Sequence, residues 1–208
     1  MMPGWNRIFQ PGAGHIPALI ESGAAKNAAI APFFGQHANM LASPAPGFDD
    51  PLALLRACHE RITRQCNTLE KIAAQLASHG LTPDLRTAAA GVHRYFSTAG
   101  HYHHEDEELD LFPLLRGDAA LATLIDNLQL EHVRMDALWR ELEPLLAEPD
   151  TIRDTDGFRK QAMAFIALHA QHVAHENAVL LPRAKAMLPP TVLTVLGARM
   201  AARRGVTL

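Results

Sequence analysis

The chain has 208 residues, of which 48% are hydrophobic, and a formal net charge of −3. This length and composition suit one compact domain, with room for an appendage. The small net charge gives no reason to expect nucleic acid or an anionic membrane as a partner. No apolar run approaches the roughly 18 residues of a membrane span, and the start of the chain lacks a signal-peptide pattern. We therefore expect a soluble cytoplasmic protein.

Residues 1–48 differ in composition from the rest of the chain. They are rich in Gly, Pro and Ala and contain few charges, and the stretches "PGAGHIP" and "ASPAPG" are typical of turns. We expect this segment to be an arm that lies on the main domain, with Phe33, Phe34 and Phe48 as apolar anchors.

Strong helix signals begin after this arm. Asp50 before Pro51 is an N-cap followed by proline at the first helical position, and Thr82 before Pro83 repeats the signal. Long helices are expected at about 51–79, 83–115 and 119–147, and from about 156 to beyond 179. The stretch "TVLTVLGARMAARRG" predicts a short closing helix, and no segment shows the alternation of a strand.

Four long helices with short loops predict an all-α fold, an antiparallel up-down-up-down four-helix bundle. We expect the arm at 1–48, the bundle at 49–188, and a C-terminal helix at 189–208 packed on the bundle. Cys58 and Cys66 lie on the first helix, about 12 Å apart along its axis, which is too far for a disulfide.

The histidines are concentrated in two stretches, "HYHHEDEELDLFPLL" at 101–115 and "HAQHVAHENAVLLP" at 169–182. The two stretches superimpose at an offset of 69 residues, which places His103 on His172 and Glu107 on Glu176. Each pair has the i, i+4 spacing that puts both side chains on one helix face. His104 and Glu108 have the same spacing but no counterpart in the second stretch, so the repeat favours His103 and Glu107.

The first and third helices also superimpose, at an offset of 73 residues, and this places His59 on His132. In an up-down-up-down bundle the four matched histidines fall within roughly 13–21 Å of the same end, at 1.5 Å per residue. Buried imidazoles and carboxylates are costly unless they are paired or coordinated. Such a layer suits two first-row transition ions, most often iron, spanned by Glu107 and Glu176.

Other metal classes fit the spacing less well. Zinc proteases need His-Glu-x-x-His, and ferritin-like bundles use Glu-x-x-His, whereas here the histidine comes first and the glutamate four residues later.

The motifs "HERI", "HYHHEDEELDLFPLL", "EHVRMDALW" and "HVAHENAVLLP" resemble the hemerythrin-like (HHE cation-binding) domain family over about residues 50–185. The resemblance implies a non-haem di-iron centre, oxo- or hydroxo-bridged, that binds or senses oxygen, nitric oxide or iron. The alternative within the family is a di-iron enzyme that reduces peroxide or nitric oxide, or an iron-delivering repair protein. The implied ligands are His59, His103, Glu107, His132, His172 and Glu176.

Two departures from the oxygen-carrying hemerythrins argue against reversible oxygen carriage. Asp136 stands where those proteins have a second histidine on the third helix, and His-x-x-x-Glu replaces their His-x-x-x-x-Asp. The second feature is more similar to the sensor and repair branches. Those branches often have one further ligand, for which Asp136, His104 and His169 are candidates. Asp136, four residues after His132, is the best placed to occupy an open metal position.

The remaining polar residues of the second helix, Glu105, Asp106, Glu108 and Asp110, are expected to form a solvated face. The basic end "ARMAARR" is expected to be a solvated helix terminus, and Phe96 and Phe165 are expected to wall the site.

Overall fold

The computed structural model describes residues 46–208, and this part of the chain is helical throughout, with no strand. Helix α1 is Pro51–His79, α2 spans 83–115, α3 is Ala119–Ala147, α4 spans 155–187 and α5 is Pro190–Arg203. The predicted all-α class is thereby confirmed. The arm expected at 1–48, with Phe33 and Phe34, lies almost wholly outside the described residues.

Side-chain caps determine where the long helices begin. Asp50 accepts a hydrogen bond from the Ala53 backbone N–H at 3.0 Å, and Thr82 accepts one from Leu85. Such caps satisfy donors that the first turn leaves without partners. Gly80 ends α1 with φ 71°, a left-handed conformation that glycine adopts without a steric penalty.

Each long helix packs against two neighbours, because α1 and α3 both contact α2 and α4. The interior contains two apolar cores, one of which includes Leu55 and Leu128 and the other Ile62 and Leu142. Along α1, His59 lies between Leu55 and Ile62. A polar layer therefore separates the two cores at the level of the histidines.

A π-helical segment at each glutamate interrupts the helix that carries it. Asp106–Leu111 in α2 contains Glu107, and Glu176–Leu180 in α4 begins with Glu176. The second residue after each segment is a proline, which cannot donate a helical hydrogen bond and whose ring presses on the carbonyl four residues earlier. The wide π turn accommodates this clash, and it occurs in both halves of the repeat.

Helix α5 packs on α1 and on the π segment Asp106–Leu111. Its Gly197 lies against the backbone of Phe48, where an added Cβ would collide with the Phe48 carbonyl. Cys58 and Cys66 are buried free thiols, so the prediction that they form no disulfide is confirmed. Among residues 46–208, no helix combines the length and hydropathy needed to cross a membrane.

Candidate metal centre

All four long helices contribute side chains to one buried polar layer, and these are the six residues that the sequence singled out. They are His59 from α1, His103 and Glu107 from α2, His132 from α3, and His172 and Glu176 from α4. None is more than 2% exposed. Four apolar helix faces thus bring together six groups that are rarely buried without a partner.

The six side chains form two overlapping groups whose nitrogen and oxygen atoms lie within 4.8 Å of one another. One group contains His59, His103, Glu107 and Glu176, and the other contains Glu107, His132 and His172. Glu107 bridges the groups, with Oε1 3.2 Å from His103 Nε2 and Oε2 3.5 Å from His132 Nε2.

Glu176 belongs to the first group alone but also lies close to an imidazole of the second. Its Oε2 lies 3.1 Å from His59 Nε2 and 3.2 Å from His172 Nε2. Two carboxylates between two pairs of imidazoles form a donor set for two cations, since both kinds of ligand suit first-row transition ions such as iron.

Three histidines direct Nε2 into the cluster because Nδ1 is bonded elsewhere. The Nδ1–H of His59 donates to Asn177 at 2.9 Å, and that of His132 donates to Glu108 at 2.7 Å. The third such bond runs from His172 to Glu131, also at 2.9 Å. A hydrogen bond at the far nitrogen sets the tautomer that leaves the other nitrogen free to bind a metal.

The Nε2 atoms of His132 and His172 lie only 3.1 Å apart. Since both Nδ1 atoms donate to carboxylates, both Nε2 atoms present lone pairs to the same space in the neutral imidazoles. Two such lone pairs repel each other unless a proton or a metal ion lies between them. About 3 Å is also the separation of two nitrogens bound at right angles to one ion at about 2.1 Å.

Seven buried side-chain atoms of the cluster have no hydrogen-bond partner within residues 46–208. They are His59 Nε2, both ring nitrogens of His103, and all four carboxylate oxygens of Glu107 and Glu176. A buried polar atom without a partner costs roughly 1–3 kcal/mol, and more if it is charged. So many such atoms in one place form a donor set that could hold metal cations.

Protons take part of this role when no metal is bound. Burial lowers the pKa of His59, but contacts with Glu107 and Glu176 outweigh burial and raise it to about 10. The pKa of His132 likewise rises to about 10 against the effect of burial, through Glu107 and Glu108. Burial opposes ionisation of Glu176, but contacts with His172 and His59 outweigh burial, so the pKa of Glu176 lies well below its usual range.

His103 behaves differently from the other histidines of the cluster. Burial dominates and lowers its pKa to about 4, although Glu107 attracts a proton. The uncharged ring therefore keeps a lone pair available for an ion at neutral pH.

A cavity of about 180 Å³ lies beside the cluster. Its walls include Phe96 and Phe165, as expected, together with Trp139. His104 and His169 also line it, and His104 stacks on His132 with 4.0 Å between ring centroids. The π segment Phe96–Gly100 forms part of the wall, and such segments are frequent at functional sites. The imidazole of His104 therefore lies between the cavity and the cluster.

The structure separates the three candidates for an additional ligand. Asp136 is exposed at the edge of the cavity and belongs to neither group, so it is not the residue best placed to reach an ion. His169 is buried, and its Nδ1–H donates to the Phe165 carbonyl at 2.9 Å. His104 is the closest of the three to the cluster, through its contact with His132.

The expected solvated face on α2 is wrong at two positions. Asp106 is fully buried and Asp110 is 5% exposed, because α5 covers them. Arg203 bonds to both, and Arg204 Nη2 bonds to Asp106 at 2.6 Å. The basic end of the chain is therefore an ion-pair partner of the helix that carries Glu107, rather than a solvated terminus.

The sequence did not predict the residues that form hydrogen bonds with the imidazoles. Glu131 is 6% exposed and binds His172, although it directly precedes the predicted His132. Asn177 directly follows Glu176 and binds His59. Proximity to the predicted ligands was the only signal available, and it does not indicate which neighbours turn inward.

The chain is similar to a described protein family and to a bacterial protein. The family model described as "Hemerythrin HHE cation binding domain" matches residues 50–184. The chain is also 31% identical over 160 residues to an uncharacterized protein of Haemophilus influenzae, an alignment that covers 76% of this chain and 92% of that protein.

Proposed function

Since the chain belongs to the hemerythrin HHE cation-binding domain family, we propose that it holds two iron ions and uses them to bind or sense dioxygen or nitric oxide. Glu107 and Glu176 would hold both ions, and the ions would also share an oxo or hydroxo bridge. His59 with His103, and His132 with His172, complete the two positions. The observation that carries the proposal is the set of seven buried cluster atoms without hydrogen-bond partners.

The size and the aromatic walls of the cavity favour a small, uncharged ligand. Dioxygen and nitric oxide fit easily into about 180 Å³, and aromatic walls of Phe96, Phe165 and Trp139 suit apolar molecules. The ligand reaches the cluster past His104, the side chain that touches both cavity and cluster.

Reduction of peroxide or nitric oxide, or delivery of iron to a damaged centre, is the second candidate. Ionisable side chains at the cavity favour it, because Asp136 and Glu143 line the wall together with His104 and His169. Reduction needs a supply of protons, which such groups can relay. Consumption of many equivalents of peroxide or nitric oxide per chain, with an external electron donor supplied, would distinguish an enzyme from a binding protein.

We propose that the four long helices that hold this site form an up-down-up-down bundle. The support is that each long helix contacts two others and that the connections are short, at 80–82, 116–118 and 148–154. Short connections favour antiparallel neighbours.

Metal content and optical spectra test the function together. Protein expressed with added iron is expected to contain close to two iron ions per chain. The reduced protein, mixed with dioxygen or with nitric oxide, is expected to show a new absorption band at stoichiometric ligand. Absence of iron after reconstitution, or a spectrum indifferent to both gases, would reject the proposal.

A variant at the cavity edge tests the proposed route. Ser97 is exposed and lines the cavity, so Ser97→Trp should obstruct the entrance and slow the spectral change. Thr98→Trp is the matched control, because Thr98 is exposed in the same π segment but does not line the cavity. Equal rates in both variants, with normal iron content, would place the route elsewhere.

A further inference from the structure

In one pair of imidazoles in the cluster, those of His132 and His172, the hydrogen-bond partners of Nδ1 are carboxylates. The Nδ1–H of His132 donates to Glu108 at 2.7 Å, and that of His172 donates to Glu131 at 2.9 Å. The two carboxylates differ in exposure, since the Glu131 side chain is 8% exposed and that of Glu108 is 39% exposed. Water screens Glu131 less, so its charge acts more strongly on the imidazole that it holds.

Among residues 46–208, no carboxylate accepts a hydrogen bond from an Nδ1 atom of the other pair. The Nδ1–H of His59 donates to the uncharged amide oxygen of Asn177 at 2.9 Å. The Nδ1 of His103 has no hydrogen-bond partner in the described part of the chain, 46–208. The two pairs therefore differ by two negative charges immediately behind the ligand rings.

The bridging carboxylates lie close to both pairs of imidazoles, so they offset this difference only in part. Glu176 Oε2 is nearly equidistant from the Nε2 atoms of His59 and His172, at 3.1 and 3.2 Å. Glu107 directs one oxygen to each pair. Each position therefore has two imidazole nitrogens and an oxygen of Glu107, whereas Glu176 is grouped with His59 and His103 alone. The partners of the imidazole Nδ1 atoms are a second difference between the two positions.

A carboxylate that accepts the Nδ1–H makes the imidazole a stronger electron-pair donor to the metal and adds negative charge close to the ion. We propose that the two metal positions are unequal, the one between His132 and His172 binding its ion first and more tightly. The ion between His59 and His103 is the exchangeable one. This inference rests on the proposed function, because it assumes that both positions bind metal.

Calorimetric titration tests the order in which the two positions bind metal. Fe²⁺ is added stepwise to the metal-free protein under anaerobic conditions. The wild type is expected to bind in two resolved steps. Glu108→Gln combined with Glu131→Gln keeps an oxygen that accepts each Nδ1–H but removes both charges. The tighter step should weaken by about 10–100-fold, the usual effect of losing such a partner, while the weaker step stays in place.

Asn177→Asp is the matched variant in the opposite direction. It places a carboxylate of nearly the same shape behind His59, so the weaker step should strengthen by about tenfold or more. Because Asn177→Asp adds a charge and keeps an oxygen that accepts the Nδ1–H, this result does not depend on whether the double glutamine variant folds.

Single histidine variants assign the steps. His172→Ala should remove the tighter step, and His103→Ala the weaker one. The reverse assignment would overturn the inference, as would equal weakening of both steps in the double glutamine variant, which is the effect of a merely structural role. Two ions bound with equal affinity in the wild type would overturn the inference but leave the proposed function standing. No binding at all would reject the proposed function itself.

Discussion

At the scale of single residues, each bridging glutamate contacts both halves of the cluster. Glu107 directs Oε1 to His103 and Oε2 to His132, at 3.2 and 3.5 Å, and is fully buried. A terminal ligand would approach only one of the two pairs. Loss of a bridging carboxylate should therefore affect both ions together.

We expect Glu107→Ala to lose both iron ions in parallel, because the two positions share this carboxylate. Iron per chain, measured by elemental analysis after reconstitution and desalting, is the readout. Glu60→Ala on the exposed face of α1 is the control and should retain normal iron. Retention of one ion per chain in Glu107→Ala would show that Glu107 does not bridge.

At the scale of elements, α5 holds the π segment that carries Glu107. Asp106 and Asp110 extend from this segment into the guanidinium groups of Arg203 and Arg204, whose side chains are 15% and 21% exposed. Removing one side of a buried ion pair is costly because the other charge is left without compensation. The C-terminal helix thus stabilises the segment next to the site through charge as well as apolar packing.

The double variant Arg203→Ala with Arg204→Ala should lower the free energy of unfolding by about 3–5 kcal/mol. Urea unfolding of the metal-free protein measures this effect apart from any change in metal binding. Arg199→Ala is the control, since Arg199 bonds to Asp110 but is 63% exposed and should contribute at most about 1 kcal/mol. Similar losses of unfolding free energy in the double variant and in Arg199→Ala would contradict a stabilising role for the buried ion pairs.

At the scale of the whole molecule, folding and metal binding are coupled, because an ion that binds only the folded state stabilises it. At a free-ion concentration of 100 times Kd this amounts to about 2.7 kcal/mol per site. For a domain of this size each kcal/mol moves Tm by about 2–4 °C.

Removing iron with a chelator should therefore lower Tm by roughly 5–10 °C for each ion lost. Calorimetry before and after chelation measures the change, and adding iron back should restore the original Tm. An unchanged Tm after verified metal removal would exclude a structural contribution from this site.

The metal-free protein should also lose stability as pH rises from about 6.5 to about 10. His59 and His132 have folded-state pKa values raised from 6.5 to about 10, so their protonation favours folding below 6.5 and this benefit is lost as pH rises through 10. Bound ions replace these protons, so the metal-loaded protein should not show the same loss. Urea unfolding at pH 7 and pH 9.5 compares the two forms, and parallel losses would contradict the prediction.

Much of the fold and of the candidate site followed from the sequence alone, because the relevant signals are local. Caps and breakers such as Asp50, Thr82 and Gly80 act within one turn, and the helices end where these residues indicate. The i, i+4 spacing orients His103 and Glu107 together whatever else the helix contacts. The internal repeat selected them over His104 and Glu108, and the structure brings the chosen pair into the cluster.

Only the tertiary structure decided which of the remaining polar side chains turn inward. Asp106 appeared to be part of a charged, solvated stretch, and its burial depends on a helix 97 residues further along the chain, where Arg203 provides the opposite charge. Glu131 becomes a partner of His172 only when α3 packs against α4. Asp136 shares a helix face with His132 by spacing but is exposed. Local periodicity specifies a face, whereas burial and partnership depend on contacts between elements distant in sequence.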